Sequence, residues 1–211
     1  MAKFFSDAGR AGAAKVLDPV ASRLIRLGVS PNAVTLAGTA GVVAGCVLLT
    51  ARGHLLWAFA VVTVSASLDV LDGAMARARG SSSRFGALLD STMDRIADGA
   101  IFASVAYLMA DSGDMPSAAA ALLCLVGGLT VSYVKARAQS LGATCTVGFV
   151  ERLERLLVVG LGVLLAGFGV PYALPATLWL LAVATAATAV QRVWHVRGQL
   201  NGDAVAQRQA D

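Results

Sequence analysis

Five aspartates stand in a stretch that is otherwise apolar enough to lie in a membrane. They are Asp69, Asp72, Asp90, Asp94 and Asp98, within SLDVLDGAMARARGSSSRFGALLDSTMDRIADG, Ser67 to Gly99. Residues three and four apart share a helix face, so Asp69, Asp72, Gly73 and Ala76 form one stripe and Asp90, Asp94 and Asp98 another. A carboxylate near the middle of a spanning helix costs about 2.5–3.5 kcal/mol on the insertion scale, so a group of them requires compensation. Arg77 and Arg95 offset part of the charge, and divalent cations account for the remainder. An oxygen-only donor set without His or Cys suits hard ions such as Mg²⁺ or Mn²⁺, and the lack of a Glu-x-x-His pair argues against a di-iron bundle. Two such ions, about 3.5–4 Å apart, would serve in-line displacement at phosphorus. Gly73 and Ala76 leave room for a nucleotide against the backbone.

The elements that must position these groups are membrane helices. The 211 residues are 57% hydrophobic and only 14% charged, with a mean hydropathy of +0.71, which excludes an ordinary soluble domain. A span needs about 20 mostly apolar residues, and the windows 32–52, 55–79, 86–110, 116–140, 153–169 and 172–196 qualify. The expected fold is therefore an all-α integral membrane protein with six transmembrane helices. It divides into an N-terminal cytoplasmic segment, 1–31, a membrane domain, 32–197, and a short polar, poorly ordered cytoplasmic tail, 198–211. Asp18-Pro19 is a helix start. Val20, Leu24 and Leu27 then share a side away from Arg23 and Arg26, which predicts a short N-terminal amphipathic helix at the interface. Gly38, Gly41 and Gly45 give the first span a small-residue face for close helix packing.

Basic residues set the orientation. Lys3, Arg10, Lys15, Arg23 and Arg26 precede the first span, and Arg77, Arg79 and Arg84 lie between the second and third. Lys135, Arg137, Arg152 and Arg155 surround the connection from fourth to fifth, and Arg192, Arg197 and Arg208 close the chain; Arg52 alone lies opposite. Both termini, and the acidic stripes near Arg79, are thereby expected on the cytoplasmic side of the cell membrane. Asp69 lies about 15 Å along its helix from Arg79, within reach of a cytoplasmic cleft. The net charge of +4 follows from this topology and calls for no nucleic acid. No cleavable signal precedes the first span. Cys46, Cys124 and Cys145 show neither metal nor disulfide spacing, and His54 and His195 fit interfacial positions.

The pattern Asp69-x2-Asp72-Gly73-x2-Ala76-Arg77-x8-Gly86-x3-Asp90-x3-Asp94 resembles, at every specified position, the signature of the CDP-alcohol phosphotransferase family of membrane enzymes. The resemblance implies a six-helix, usually homodimeric fold that transfers a phosphatidyl group from CDP-diacylglycerol to an alcohol and releases CMP. It implies that Asp69 and Asp90 bridge two metal ions, Mg²⁺ with Mn²⁺ as an alternative. Asp72 would complete one site, and Asp94 would contribute to the other while serving as general base. It further places the CDP moiety against Gly73, Ala76, Arg77 and Ser83, with Asn32, Ala33, Val34 and Thr35 lining the site from the first helix. Asp98 lies outside the signature.

Ser132 to Ser140, Gly148 to Arg155 and the segment around Arg192 are similar to the corresponding parts of the actinobacterial phosphatidylinositol phosphate synthase branch, with Gln139 where Glu is expected. This similarity favours inositol phosphate as acceptor over glycerol 3-phosphate, the acceptor of the phosphatidylglycerophosphate branch. Independently of it, Lys135, Arg155 and Arg192 come from three cytoplasmic helix ends. They could bind an acceptor phosphate, Arg in bidentate fashion and Lys as a point charge; the positive-inside rule alone would also place cations there. Two rival functions remain. A membrane prenyltransferase also holds Mg²⁺ on a diphosphate with paired acids, but the glycine and arginine spacing would then be coincidental. A divalent-cation transporter would use intramembrane acids as an ion path, and would give metal flux without CMP release.

Overall fold

A computed structural model of the chain describes residues 19–78 and 83–210, with the backbone alone at Asp69 and at 202–210. The Asp18 cap and the charges of 1–18 lie outside the described residues, as do Arg79 and the Gly80-Ser81-Ser82 connection. Every described element is helical. A short helix α1, 19–26, precedes α2 (Pro31–Leu48), α3 (Leu55–Ala78), α4 (Arg84–Asp111), α5 (Met115–Ser140), α6 (Arg152–Gly167) and α7 (Ala173–Ala210). A short 3₁₀ turn, Thr50–Arg52, follows α2.

Local chemistry sets the helix starts. Ser30 caps α2, its hydroxyl accepting from the Ala33 N–H at 3.2 Å, with Pro31 in the first turn; Ser83 caps α4 through the Gly86 N–H at 2.8 Å. Asp114 caps α5 by accepting from the Ser117 N–H at 3.1 Å. Glu151 and Glu154 form a capping box on α6. Each side chain satisfies a backbone donor that the first helical turn leaves without a partner. Hydrogen bonds from the Ser117 hydroxyl and from its backbone N–H hold the Asp114 carboxyl below its usual range.

Among the described residues, four helical segments are long and apolar enough to cross a membrane: Pro31–Arg52, Leu55–Ala78, Met115–Ser140 and Ala173–Asn201. The two remaining windows read as spans differ for identifiable reasons. The first turns of α4 carry Asp90, Asp94, Arg95 and Asp98, and α6 has only 16 residues. The described residues accordingly form an all-helical fold with four candidate membrane spans. The last helix also differs from its expected end, since its backbone continues through the 198–210 segment to Ala210. That segment contains Gln, Ala, Val and Arg, residues compatible with helix.

The helices pack as a closed ring: α2 against α3 and α4, α5 against α4 and α7, and α6 against α7 and α3. Gly38, Gly41 and Gly45 do form the predicted close face. A Cβ on Gly38 would stand 3.0 Å from the Ser65 carbonyl, one on Gly45 would stand 3.1 Å from both Val61 and Val62, and one on Gly41 would overlap Ser65. Helices α2 and α3 therefore approach too closely for side chains there, which fixes the height of Thr35 relative to Asp72. The main core, including Phe102, Val105, Cys124, Val159 and Leu178, joins α4, α5, α6 and α7. Helix α1 packs Ala21, Leu24 and Ile25 onto α2 and α3, while Val20 and Leu27 are exposed. Of the Val20, Leu24, Leu27 side expected at the membrane interface, Leu24 packs instead against α2 and α3, while Val20 and Leu27 stay off the protein.

Candidate active site

The site forms where the N-termini of α2 and α4 meet the C-terminal half of α3. Pro31 and the Ser30 cap direct α2 so that Thr35 faces α3, and its hydroxyl donates a short hydrogen bond to Oδ2 of Asp72. Both groups are buried. Asp69 lies one turn earlier on α3; its side chain is outside the described part. Gly73 is followed by Arg77, whose Nη1 lies 3.4 Å from where a Gly73 Cβ would stand, so the missing side chain leaves space that the guanidinium borders. A Cβ on Gly86 would be 2.9 Å from the Ser83 Oγ and 3.4 Å from the Asn32 Oδ1. The structure thereby brings Asn32 of α2 to Ser83 and Gly86 at the start of α4, which are far from it in sequence. Two helix N-termini converge there, with partial positive charge suited to an anion.

On α4, Asp90 is exposed and Asp94 half-buried. Asp94 receives Arg152 Nη1 at 2.7 Å on one oxygen and Arg95 Nη2 at 3.2 Å on the other. One turn deeper, buried Asp98 receives Arg152 Nε at 3.0 Å and Arg155 Nη2 at 3.3 Å. Arg152 therefore spans both carboxylates and ties α4 to the start of α6. Sequence reading treated Arg152 only as a topology marker. The available signal was a match of spacings: Asp94 and Asp98 are four apart, Arg152 and Arg155 three apart, so each pair occupies one face.

The three expected phosphate-binding cations are placed differently from one another. Arg155 is 1% exposed and Arg192 3% exposed, whereas Lys135 is open to solvent. Arg192 donates from Nε to the Val147 carbonyl at 2.8 Å, from Nη1 to the Val131 carbonyl at 3.0 Å, and from Nη2 to Glu151 at 3.4 Å. Arg155 lies against Gly128. Both arginines thus abut the 128–131 stretch of α5, and Lys135 lies one turn beyond it. Burial on this scale exceeds what the positive-inside rule alone asks of a basic residue.

The donor set suits a hard cation, because it offers carboxylate oxygens, while both oxygens of Asp94 are engaged by Arg152 and Arg95. Among the described residues no group of three acidic, His or Cys side chains is close enough to hold an ion, a statement that leaves out Asp69. A cavity of about 450 Å³ opens beside Thr35, Asp94 and Arg152 and runs between α2, α3, α4 and α6 to Cys46 and Val163. Its lining is mostly apolar, with Thr35, Asp94 and Arg152 as polar groups near the aspartates.

Comparison with known proteins gives a consistent result. The family model described as CDP-alcohol phosphatidyltransferase matches residues 28–191. The phosphatidylinositol phosphate synthase of Mycobacteroides abscessus is 45% identical over 186 residues, spanning 87% of this chain and 84% of that protein. That of Corynebacterium glutamicum is 44% identical, spanning 88% and 85%. The crystal structure of Mycobacterium tuberculosis phosphatidylinositol phosphate synthase with CDP-DAG bound superimposes with a TM-score of 0.83 at 44% identity, covering 86% of this chain and 94% of that one. The same enzyme in complex with manganese and citrate gives a TM-score of 0.82 at 44% identity, covering 85% and 88%.

Proposed function

Because the chain belongs to the CDP-alcohol phosphatidyltransferase family, we propose that it transfers the phosphatidyl group of CDP-diacylglycerol to inositol phosphate, giving phosphatidylinositol phosphate and CMP. The observation that carries a phosphorylated rather than neutral acceptor is the pair of buried arginines, Arg155 beside Asp98 and Arg192 beside Glu151; the synthase relatives favour inositol phosphate among phosphorylated alcohols. Asp69, Asp72, Asp90 and Asp94 are the residues that would hold a pair of divalent cations, Mg²⁺ or Mn²⁺, whose charge offsets that developing on the phosphoryl oxygens and on departing CMP.

The protein's own groups do the rest. Thr35 orients Asp72 through its hydroxyl. The converging N-termini of α2 and α4, with Asn32, Ala33 and Ser83, face the diphosphate, and Gly73, Ala76 and Arg77 border the nucleotide; Val34, expected to line the site, packs instead into the apolar cluster of Ala21, Leu71 and Met75. Asp94, fixed by Arg95 and Arg152, accepts the acceptor's hydroxyl proton as its oxygen attacks the lipid-bearing phosphorus and the bond to CMP breaks. The mostly apolar cavity receives acyl chain, so lipid and nucleotide part beside Thr35, Asp94 and Arg152.

Six spans, counting α4 and α6, with both termini and the site on the cytoplasmic side of the cell membrane, agree with the distribution of Lys and Arg. Exposed Val20 and Leu27 suit α1 to the membrane interface. The assembly is a homodimer within the membrane, as family membership suggests, and cross-linking in native membranes tests it: recovery of monomer alone by several cross-linkers would contradict it.

Lys135 offers a clean test of the acceptor site, since an exposed side chain can be removed without disturbing the fold. Losing one charge-assisted phosphate contact should lower turnover of Lys135→Ala at limiting inositol phosphate by about tenfold or more. Arg155→Gln and Arg192→Gln should do at least as much, and Arg192→Gln should also lower thermal stability, because two backbone carbonyls lose their donor. CMP release measured against acceptor and donor concentration checks this. A Lys135→Ala enzyme with unchanged acceptor KM would remove Lys135 from the site.

A further inference from the structure

Arg155 belongs to a shared ion-pair network. Among the described ion pairs, the carboxylates of Asp94 and Asp98 hold the guanidinium groups of Arg95, Arg152 and Arg155. Two buried donor atoms, Nη1 of Arg155 and Nε of Arg95, have no hydrogen-bond partner among the described residues. A buried donor without a partner is unfavourable, and one on a guanidinium more so. Such a group is stable when something else completes it, and an anionic oxygen would supply the missing acceptor.

Arg155 cannot search for that anion, because it is held on two sides. Asp98 takes Nη2 at 3.3 Å. On α5, the absent side chain of Gly128 lets the flat guanidinium lie where a Cβ would be 3.3 Å from Cζ and from Nη2 and 3.4 Å from Nε. Nη1 is the nitrogen these contacts leave over. The second oxygen of Asp98 binds Arg152, which continues to Asp94 at 2.7 Å. A single carboxylate therefore sets Arg155 and, through Arg152, borders the residue proposed to take the acceptor's proton.

We propose that Asp98, seated against Arg155 opposite Gly128, is a positioning residue for the acceptor: it holds Arg155 so that Nη1 meets a phosphate oxygen, and through Arg152 it sets that phosphate's distance from Asp94. Asp98 touches no substrate in this role. The inference rests on the reading of Arg155 as an acceptor-phosphate ligand. It predicts that acceptor affinity, and not donor affinity, depends on a residue outside the family's aspartate pattern and on a glycine of a different helix.

The test uses the full-length protein purified in mild detergent, with CMP release followed as CDP-diacylglycerol and inositol phosphate are varied separately, and with thermal unfolding measured alongside. Asp98→Asn and Gly128→Ala should each raise the acceptor KM by about tenfold or more, the size of losing one charge-assisted contact. The donor KM should stay within about twofold. Asp98→Glu, which keeps the charge, should recover part of the loss. In an Arg155→Gln background, Asp98→Asn should add little further, because residues that act as one unit are not additive. The proposal is overturned if Asp98→Asn raises both KM values alike, or if its effect multiplies in full with that of Arg155→Gln. Should Asp98→Asn fail to fold, Gly128→Ala decides, and an unchanged acceptor KM there overturns the proposal. A wild-type enzyme that gives no CMP release dependent on inositol phosphate would instead overturn the acceptor assignment beneath it.

Discussion

Asp94→Asn should abolish most turnover, by about 10²–10⁴-fold in kcat, the usual contribution of a positioned general base. An amide keeps the shape of the carboxylate but cannot take the hydroxyl proton. It also keeps an oxygen to accept from Arg152 or Arg95, so the packing of α4 on α6 should persist. Donor binding should be retained, because the residues proposed to face CDP lie on α2, α3 and the start of α4. The measurement is kcat and donor KM at saturating metal, with a CDP-diacylglycerol binding assay on the same preparation. Near-normal turnover would show that proton removal needs no help from Asp94.

The second large effect concerns the cations. Their charge stabilisation is worth several kcal/mol in the transition state, and each 1.4 kcal/mol is a tenfold change in rate. Removing divalent ions with a chelator should therefore suppress transfer by three or more orders of magnitude, and adding Mg²⁺ or Mn²⁺ should restore it. Asp72→Asn should shift the metal concentration for half-maximal rate upward, since the amide lacks the charge, while still accepting the Thr35 hydroxyl and so keeping α2 against α3. Rate and fold are separated by following the unfolding temperature of the same variant. Full activity in chelator would refute the metal assignment, and an unaltered metal requirement in Asp72→Asn would remove Asp72 from it.

Much of the site was legible in the chain because its spacings are helical. The separation of Asp69 from Asp72 and of Asp90 from Asp94 puts each pair on one face whatever the neighbouring helices do, and Ser30-Pro31 and Ser83 announce where α2 and α4 begin. The contact of Thr35 with Asp72 was less accessible, since it depends on how closely α2 approaches α3; the glycines at 38, 41 and 45 were its trace. Arg152 was opaque. Its position just before an apolar run satisfied the topology rule, and only the packing of α6 beside α4 shows that it reaches two aspartates. Arg155 and Arg192 were noticed as cations, but their burial was not, because a sequence does not say that glycines at 128 and 148 leave room for them. The charges of α4 explain both its function and its weak signal as a span.

Asp98 illustrates the limit of a motif. It falls one turn beyond the last signature residue, and the pattern says nothing about it. Yet it is the buried carboxylate that joins Arg152 to Arg155. Its partners are 54 and 57 residues away, a separation that no local spacing encodes.

The account stands most directly on one measurement: CMP released by the purified protein from CDP-diacylglycerol with Mg²⁺ or Mn²⁺, when inositol phosphate, glycerol 3-phosphate, free inositol and serine are offered in turn. The structure and family predict release with inositol phosphate well above the others, together with formation of phosphatidylinositol phosphate. Preference for glycerol 3-phosphate would contradict the acceptor assignment and move the protein to the phosphatidylglycerophosphate branch. Absence of CMP release with every acceptor, accompanied by metal flux across reconstituted vesicles, would contradict the transferase itself.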